Sequence, residues 1–285
     1  MLATPRSMLF VSGEKAGRFP KAVASGADVV CIDLEDAVLP AAKAPARVEA
    51  LKWLSAQPAA GRAAALALRI NGIRALDGLR DVLELAASDA ALDWLLLPKV
   101  EAAAEIDVVR AWLGPREIGL VALLESPRGI ERAVDIADAL AGACPHGRAA
   151  LMLGGVDLAV ELGVPVSAAA LAYARGRLVN AARTSGLQAW DVPCLDVDDA
   201  AALRAETRSV MALGFTCKTA IHPRQVDVIH EAFAPDPDEV RRAQDLLAAA
   251  PGSGGAWVFR GRMVDAPVLL RARRVVELDR LARGG

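Results

Sequence analysis

Two carboxylates follow neighbouring apolar runs of the sequence, at positions where they could share one metal ion. Glu125 comes directly after one run, and Asp157 follows the next run, just behind the glycine pair Gly154-Gly155. A divalent ion bound by few protein carboxylates, several waters and an oxygen-rich substrate is typical of Mg²⁺, and the sequence has no histidine and cysteine cluster for zinc or iron. Helix capping is the common alternative for either carboxylate alone. The pair favours a Mg²⁺ site at Glu125 and Asp157.

The glycine pair beside Asp157 could offer its backbone to a ligand. Neither Gly154 nor Gly155 has a side chain that would shield its amide, so a substrate carboxylate could approach there. The pair is a weak motif by itself. Its position next to Asp157 makes both glycines candidate substrate-binding residues.

An arginine within the third apolar run, Arg69, requires a negatively charged partner. An unpaired buried charge is costly, and Glu35 or Asp36 could supply a structural ion pair. A dicarboxylate or keto-acid substrate could equally be held by the planar guanidinium in a bidentate manner. The sequence favours substrate contact by Arg69 and leaves room for both interactions. Asp33, Glu35 and Asp36 are then expected to orient Arg69 and the waters around the cation, with helix capping by Asp36 an equal alternative.

The lysines and histidines provide a competing chemistry. Lys99, in Leu97-Pro98-Lys99-Val100, and Lys218, in the last apolar run, could each form a Schiff base if desolvated. A role as a charge partner for the carboxylates is the favoured interpretation of Lys99. His222 ends the last run, and for it a structural hydrogen bond is as well supported as catalysis.

Eight apolar runs, spaced to leave room for a helix between them, must position these residues. Alternating strands and helices predict a parallel sheet, and eight repeats favour a closed (β/α)8 TIM barrel whose strand ends open on one face. We assign residues 1–233 to the barrel and residues 234–285 to a C-terminal helical extension. The extension could be a lid, an arm crossing to another subunit, or a helix packed beneath the barrel. The predicted strands are Ser7–Val11, Val29–Ile32, Ala65–Ile70, Trp94–Leu97, Ile118–Leu124, Ala149–Leu153, Leu187–Trp190 and Phe215–Ile221.

Composition excludes several classes of function. The 285 residues carry a net charge of −2, which provides no basic footprint for nucleic acid. No apolar run approaches the roughly 20 residues needed to span a bilayer, and the N-terminus lacks a signal-type apolar core. The four cysteines show no CxxC spacing, which is typical of buried thiols in a reducing cytosol. We therefore expect a cytoplasmic enzyme that does not act on membranes or nucleic acid.

Taken together and in order, the motifs resemble the citrate lyase β-subunit-like branch of the HpcH/HpaI aldolase superfamily, which includes citryl-CoA and malyl-CoA lyases. The resemblance covers nearly the whole chain. Two departures are Ser12-Gly13, where Pro-Gly is usual, and Cys217, where glycine is expected before Lys218. The matching segments are 6–11, 26–28, 33–38, 68–71, 97–101, 124–126, 153–159, 220–223 and 261–267.

The resemblance implies a Mg²⁺-dependent carbon–carbon lyase that cleaves or condenses a 3-hydroxy-acyl thioester of the citryl or malyl type. The products of cleavage would be a keto acid, such as oxaloacetate or glyoxylate, and an acyl thioester. Glu125 and Asp157 would bind the metal, and Arg69 would hold the substrate. Asp265 would act as an acid or base within a neighbouring subunit's site, in a homotrimer or hexamer.

The resemblance leaves some choices open. The thioester could be that of CoA or of a carrier protein, and the two departures lie near surfaces that could receive the CoA arm. The chain could instead be a noncatalytic or carrier-dependent subunit of a larger lyase assembly. A malyl-CoA-type thioesterase would keep the same site and hydrolyse the thioester after cleavage.

Overall fold

Eight parallel strands close into a barrel in the computed structural model, which describes residues 4–58, 60–250 and 255–283. Each strand pairs with the next along the chain, and the eighth pairs with the first. The predicted (β/α)8 barrel is therefore confirmed. Its strands are β1 (Ser7–Ser12), β2 (Val29–Asp33), β3 (Ala65–Arg69), β4 (Trp94–Leu97), β5 (Gly119–Leu124), β6 (Ala149–Leu153), β7 (Gln188–Asp191) and β8 (Cys217–Ala220).

Helices follow every strand, and short 3-10 turns at Ala16–Arg18 and Pro40–Ala42 precede the first two of them. Ser126 and Ser167 cap two of these helices, since each hydroxyl accepts a hydrogen bond from the amide three residues on. The helices are α1 (Phe19–Val23), α2 (Lys43–Ser55), α3 (Leu76–Ala86), α4 (Ala103–Leu113), α5 (Pro127–Glu131), α6 (Ala133–Ala143), α7 (Gly155–Glu161), α8 (Ala168–Thr184), α9 (Ala200–Leu213) and α10 (Arg224–Phe233).

The alternating direction of side chains along each strand determines which residues fill the barrel interior and which lie at its mouth. Successive strand residues point to opposite sides, so every second side chain enters the core. Carried one step past the core, this alternation brings Asp33, Arg69 and Glu125 inward at the carboxyl ends of β2, β3 and β5. The buried interior cluster contains Met8, Val29, Cys31, Ala67, Trp94, Leu96, Val121, Leu123, Ala150, Met152, Trp190 and Cys217.

Residues 230–285 form a second compact unit, and residues 1–229 form the first. The second unit contains α11 (Pro237–Ala248), a hairpin of β9 (Trp257–Phe259) and β10 (Arg262–Val264), and α12 (Ala266–Arg283). The role of this extension as a lid or arm stays a prediction. Within the described part of the chain, no helix is long and apolar enough to cross a membrane.

A buried ion cluster joins the barrel wall to the helices outside it. Trp190 belongs to the interior core, so its neighbour Asp191 points outward towards α8 and α9. Lys218 Nζ lies 2.6 Å from Asp191 Oδ2 and 3.1 Å from Glu206 Oε1. Arg175 of α8 donates to both Asp191 oxygens, at 3.0 and 3.1 Å, and to Glu206 at 2.8 Å. Two cations and two carboxylates thus compensate one another in a cluster where the Lys218 and Asp191 side chains are fully buried.

Replacing Lys218 tests the importance of this cluster. In Lys218→Met the stem is retained but the cluster keeps two carboxylates and a single guanidinium, an imbalance in a buried site. We expect the free energy of unfolding to fall by about 3 kcal/mol, measured by urea denaturation. The matched control is Lys52→Met at an exposed position of α2. A Lys218→Met variant as stable as the control would show that the cluster contributes little.

Candidate active site

Arg69 is held at the barrel mouth by a bidentate bond to Asp33. The two residues are register partners at the ends of β3 and β2. Arg69 Nε donates to Asp33 Oδ1 at 2.7 Å, and Nη2 donates to Oδ2 at 2.6 Å. Asp33 is itself fixed, because its oxygens also accept the backbone amides of Glu35 and Ala37. The guanidinium therefore has a defined orientation before any ligand arrives.

Glu35 and Asp36, the expected acidic partners of Arg69, also contact its guanidinium, in addition to the bidentate bond to Asp33. Arg69 Nη1 lies 2.9 Å from Glu35 Oε2 and 3.5 Å from Asp36 Oδ2. The principal partner is Asp33, which the sequence places in the acidic shell that orients Arg69 but does not identify as its ion-pair partner. The signal was available, since Asp33 continues the inward alternation of Val29 and Cys31. A guanidinium has five N–H donors, so three engaged nitrogens still leave donors for a substrate carboxylate.

Glu125 is a buried carboxylate pressed against the backbone of the next strand. Its Oε1 accepts the amide of Lys99 at 2.6 Å. A Cβ at position 154 would lie 2.4 Å from Glu125 Oε2 and 2.3 Å from its Cβ, so only glycine fits there. Burial, together with the negative charges of Glu35 and Asp157, raises the pKa of Glu125 from 4.5 to about 8. Five acidic residues contact Arg69 or Lys99 here, so they outnumber these two cations; they are Asp33, Glu35, Asp36, Glu125 and Asp157.

Lys99 links the carboxylates of this site. Its backbone is left-handed, with φ of 56°, which is unusual for a residue with a side chain. Its Nζ lies 2.6 Å from Glu35 Oε1, 3.5 Å from Asp157 Oδ2 and 3.6 Å from Asp36 Oδ1. Burial lowers the pKa of Lys99, but the hydrogen bond to Glu35 and the charges of Glu35 and Asp36 outweigh it and raise that pKa above its ordinary value.

The geometry argues against both Schiff-base candidates. An amine must lose its proton before it attacks a carbonyl, and the carboxylates around Lys99 keep it protonated. Lys218 points away from the mouth, into the ion cluster between the barrel and its helices. Lys99 is therefore a charge partner of the carboxylates, which was the favoured interpretation.

Packing alone explains why both residues of the Gly154-Gly155 pair are glycine, whether or not a ligand binds there. A Cβ on Gly155 would lie 2.8 Å from Leu171 and 2.9 Å from Val192. The amide of Gly154 donates to the carbonyl of Leu124 at 3.0 Å, so a substrate carboxylate that approaches there would meet an amide that already has a partner, and substrate binding at Gly154 stays a prediction. Gly155 opens α7, and binding of a substrate carboxylate at its amide stays a prediction.

Two further candidate residues, His222 and Asp265, each accept a hydrogen bond from a backbone amide two or three residues further along the chain. His222 Nδ1 accepts the amide of Arg224 at 3.2 Å, which supports the structural interpretation of this histidine. Asp265 precedes α12 in the second unit, and its Oδ1 accepts the amide of Val268 at 3.3 Å. Its role as an acid or base stays a prediction.

The residues present fit a Mg²⁺ ion better than a transition metal. Among the described residues, no group of three or more His, Cys, Asp or Glu side chains could hold a metal by itself. Glu125 and Asp157 offer carboxylate oxygens, and both contact Lys99, through its amide and its Nζ respectively. A hard cation that keeps several waters suits such a pair, and it would relieve the excess negative charge around Glu125.

Comparison with known proteins gives a consistent set of relatives. The family model for HpcH/HpaI aldolase/citrate lyase matches residues 6–223. A citrate lyase subunit beta-like protein of Mycobacterium tuberculosis is 34% identical over 94% of this chain and 93% of the relative. An L-malyl-CoA/beta-methylmalyl-CoA lyase of Cereibacter sphaeroides is 32% identical over 95% and 93%. The crystal structure of CitE from M. tuberculosis with magnesium, acetoacetate and coenzyme A is 32% identical, with a TM-score of 0.82 over 98% of this chain and 99% of that one.

The raised pKa of Glu125 predicts a pH-dependent affinity for Mg²⁺. Below a pKa of about 8 the metal must displace a proton, so the dissociation constant should fall about tenfold per pH unit up to that value and level off above it. Isothermal titration at pH 6.0, 7.0, 8.0 and 9.0 measures this. An affinity that does not change with pH would contradict the assignment of Glu125.

The same shift predicts how the metal-free protein responds to pH. The folded pKa of Glu125 lies above its unfolded value of 4.5, so its contribution to stability is greatest below pH 4.5 and is lost as pH rises through about 8. In Glu125→Gln that decline between pH 6 and 9 should be smaller, as followed by urea unfolding in EDTA.

Gly154→Ala should damage the metal site more than the fold. The new methyl group would push the Glu125 carboxylate aside, which we expect to weaken Mg²⁺ binding about 10- to 100-fold. The cost in unfolding free energy should be about 1–2 kcal/mol. Gly142→Ala is the matched control, since nothing lies within 4 Å of the new methyl group on α6. Equal Mg²⁺ affinities in the two variants would show that Gly154 does not position Glu125.

Proposed function

The chain belongs to the HpcH/HpaI aldolase/citrate lyase family, and on that premise we propose that it is a Mg²⁺-dependent carbon–carbon lyase. Its substrate is a 3-hydroxy-acyl thioester of the citryl or malyl type, which it cleaves or forms. The observation that carries the proposal is geometric: the buried Glu125 carboxylate accepts the Lys99 amide at the mouth of the barrel, Asp157 lies 3.5 Å from the same residue's Nζ, and the guanidinium of Arg69 is fixed by Asp33.

The proposed roles follow from the contacts of each side chain. Glu125 and Asp157 hold the ion, and Arg69 binds the carboxylate of the keto-acid portion with the N–H donors that Asp33 and Glu35 leave free. Bound Mg²⁺ supplies stabilisation of negative charge that develops on substrate oxygen. Because Asp33 fixes Arg69 in advance, little reorganisation is needed when substrate binds.

Cleavage breaks one carbon–carbon bond and involves two proton transfers. The substrate hydroxyl gives its proton to solvent water, and the carbon that carries this oxygen becomes the carbonyl carbon of the keto acid. The electron pair of the broken carbon–carbon bond passes to the α-carbon of the thioester, which takes up a proton. We assign that proton to Asp265 as general acid, delivered from a neighbouring subunit of a homotrimer or hexamer. CoA is the proposed thiol, which is supported by the CoA complex of the M. tuberculosis structure.

A second candidate is a subunit that works within a larger lyase assembly. The name of the M. tuberculosis relative, a citrate lyase subunit beta-like protein, favours considering it. Turnover by the purified chain alone separates the two. Release of keto acid with intact acyl-CoA indicates a lyase, and release of free CoA thiol indicates a thioesterase.

Variants of the two proposed ligands test the function directly. Glu125→Ala and Asp157→Ala should abolish the Mg²⁺-dependent rise in melting temperature that oxaloacetate or glyoxylate produces, because the metal and keto acid bind together. Asp265→Ala should retain that rise and lower turnover by about 10²- to 10⁴-fold, the usual contribution of a general acid. Asp107→Ala, at an exposed position of α4, is the control. Full turnover after exhaustive EDTA treatment would overturn the proposal.

A further inference from the structure

The Lys99 ammonium group occupies the space that the carboxylates of the site share. Its Nζ lies within 4 Å of Glu35, Asp36 and Asp157, while its amide binds Glu125. One residue thereby contacts four acidic side chains from the segments that follow β2, β5 and β6, with Asp157 in the first turn of α7. The short distance to Glu35 shows that the ammonium is bound there and does not merely lie near the rim.

The ammonium and a divalent ion would compete for the same negative charge. Like charges repel strongly when they are a few ångströms apart in a partly buried site. The Lys99 side chain is 44% exposed, and its long stem allows the head group to move to solvent. The Asp157 side chain is 38% exposed, so its oxygens are open on the solvent side.

We propose that the Lys99 side chain is a built-in counter-cation for these carboxylates, which Mg²⁺ displaces when it binds at Glu125 and Asp157. The inference rests on the proposed function. Lys99 thus acts as a positioning residue: it keeps Glu35, Asp36 and Asp157 gathered before the metal arrives, and it weakens metal binding in doing so.

Removal of the charge at position 99 provides the first test. Lys99→Met keeps the stem and the same backbone preference, so it should bind Mg²⁺ about tenfold more tightly than the unmodified protein while the metal-free form melts at a lower temperature. Lys99→Arg retains the charge and should stay close to the unmodified protein in both measurements. Lys52→Met controls for the change in net charge. Mg²⁺ is titrated alone by calorimetry, without substrate.

Chemical labelling of the unmodified protein provides a second readout that needs no variant. Acetylation of Lys99 by an N-hydroxysuccinimide ester should rise several-fold on addition of Mg²⁺, since the amine leaves its carboxylate partners. The exposed Lys52 is the internal reference, quantified by mass spectrometry of the same digest.

The outcomes separate the inference from the proposed function. An unmodified protein that binds no Mg²⁺ overturns both. Mg²⁺ binding that Lys99→Met leaves unchanged or weaker overturns the inference alone, as does Lys99 acetylation that Mg²⁺ does not alter. Tighter binding in Lys99→Met but not in Lys99→Arg, with increased labelling, supports it.

Discussion

The active end of this barrel is organised by an excess of negative charge in a partly buried place. Buried carboxylates are costly unless cations or hydrogen bonds compensate them, and here the compensation is incomplete. Burial is the main cause of the raised pKa of Glu125, the charges of Glu35 and Asp157 add to it, and the Lys99 ammonium lies among the same carboxylates. A bound divalent cation would remove the imbalance, so the fold holds a site that is most stable when loaded. The carboxylates involved are Asp33, Glu35, Asp36, Glu125 and Asp157.

Barrel closure is what places these groups against one another. The register of β2 with β3 sets Asp33 beside Arg69, and the register of β5 with β6 sets Glu125 beside Gly154. Inward alternation on each strand then decides which residues reach the mouth. Lys218 is the opposite case. Its neighbour Cys217 points into the barrel, so Lys218 points outward, where Asp191 and residues of the surrounding helices compensate its charge.

The fold and the two proposed metal ligands could be predicted from the sequence. The features that could not be predicted all depend on contacts between segments far apart in the chain. The eight strands and the barrel follow from apolar runs with regular spacing, and Glu125 and Asp157 follow from their place at the run ends. The partners of Arg69 and Lys218 depend on register and on helices far away in the chain. Neither the left-handed backbone of Lys99 nor the contact with Glu125 that requires glycine at position 154 can be predicted from the residues next to them in the chain.

The way Glu125 is held determines how the site can fail. One of its oxygens is bound by the amide of Lys99, after β4, and the other lies against the backbone of Gly154, after β6. Both supports are main-chain elements of neighbouring strands, so the carboxylate is positioned by the backbone of the barrel itself. Its geometry consequently depends on the spacing of β4, β5 and β6, which the interior side chains set. Arg69 differs, since a side chain holds it, and the two halves of the site can therefore be lost independently.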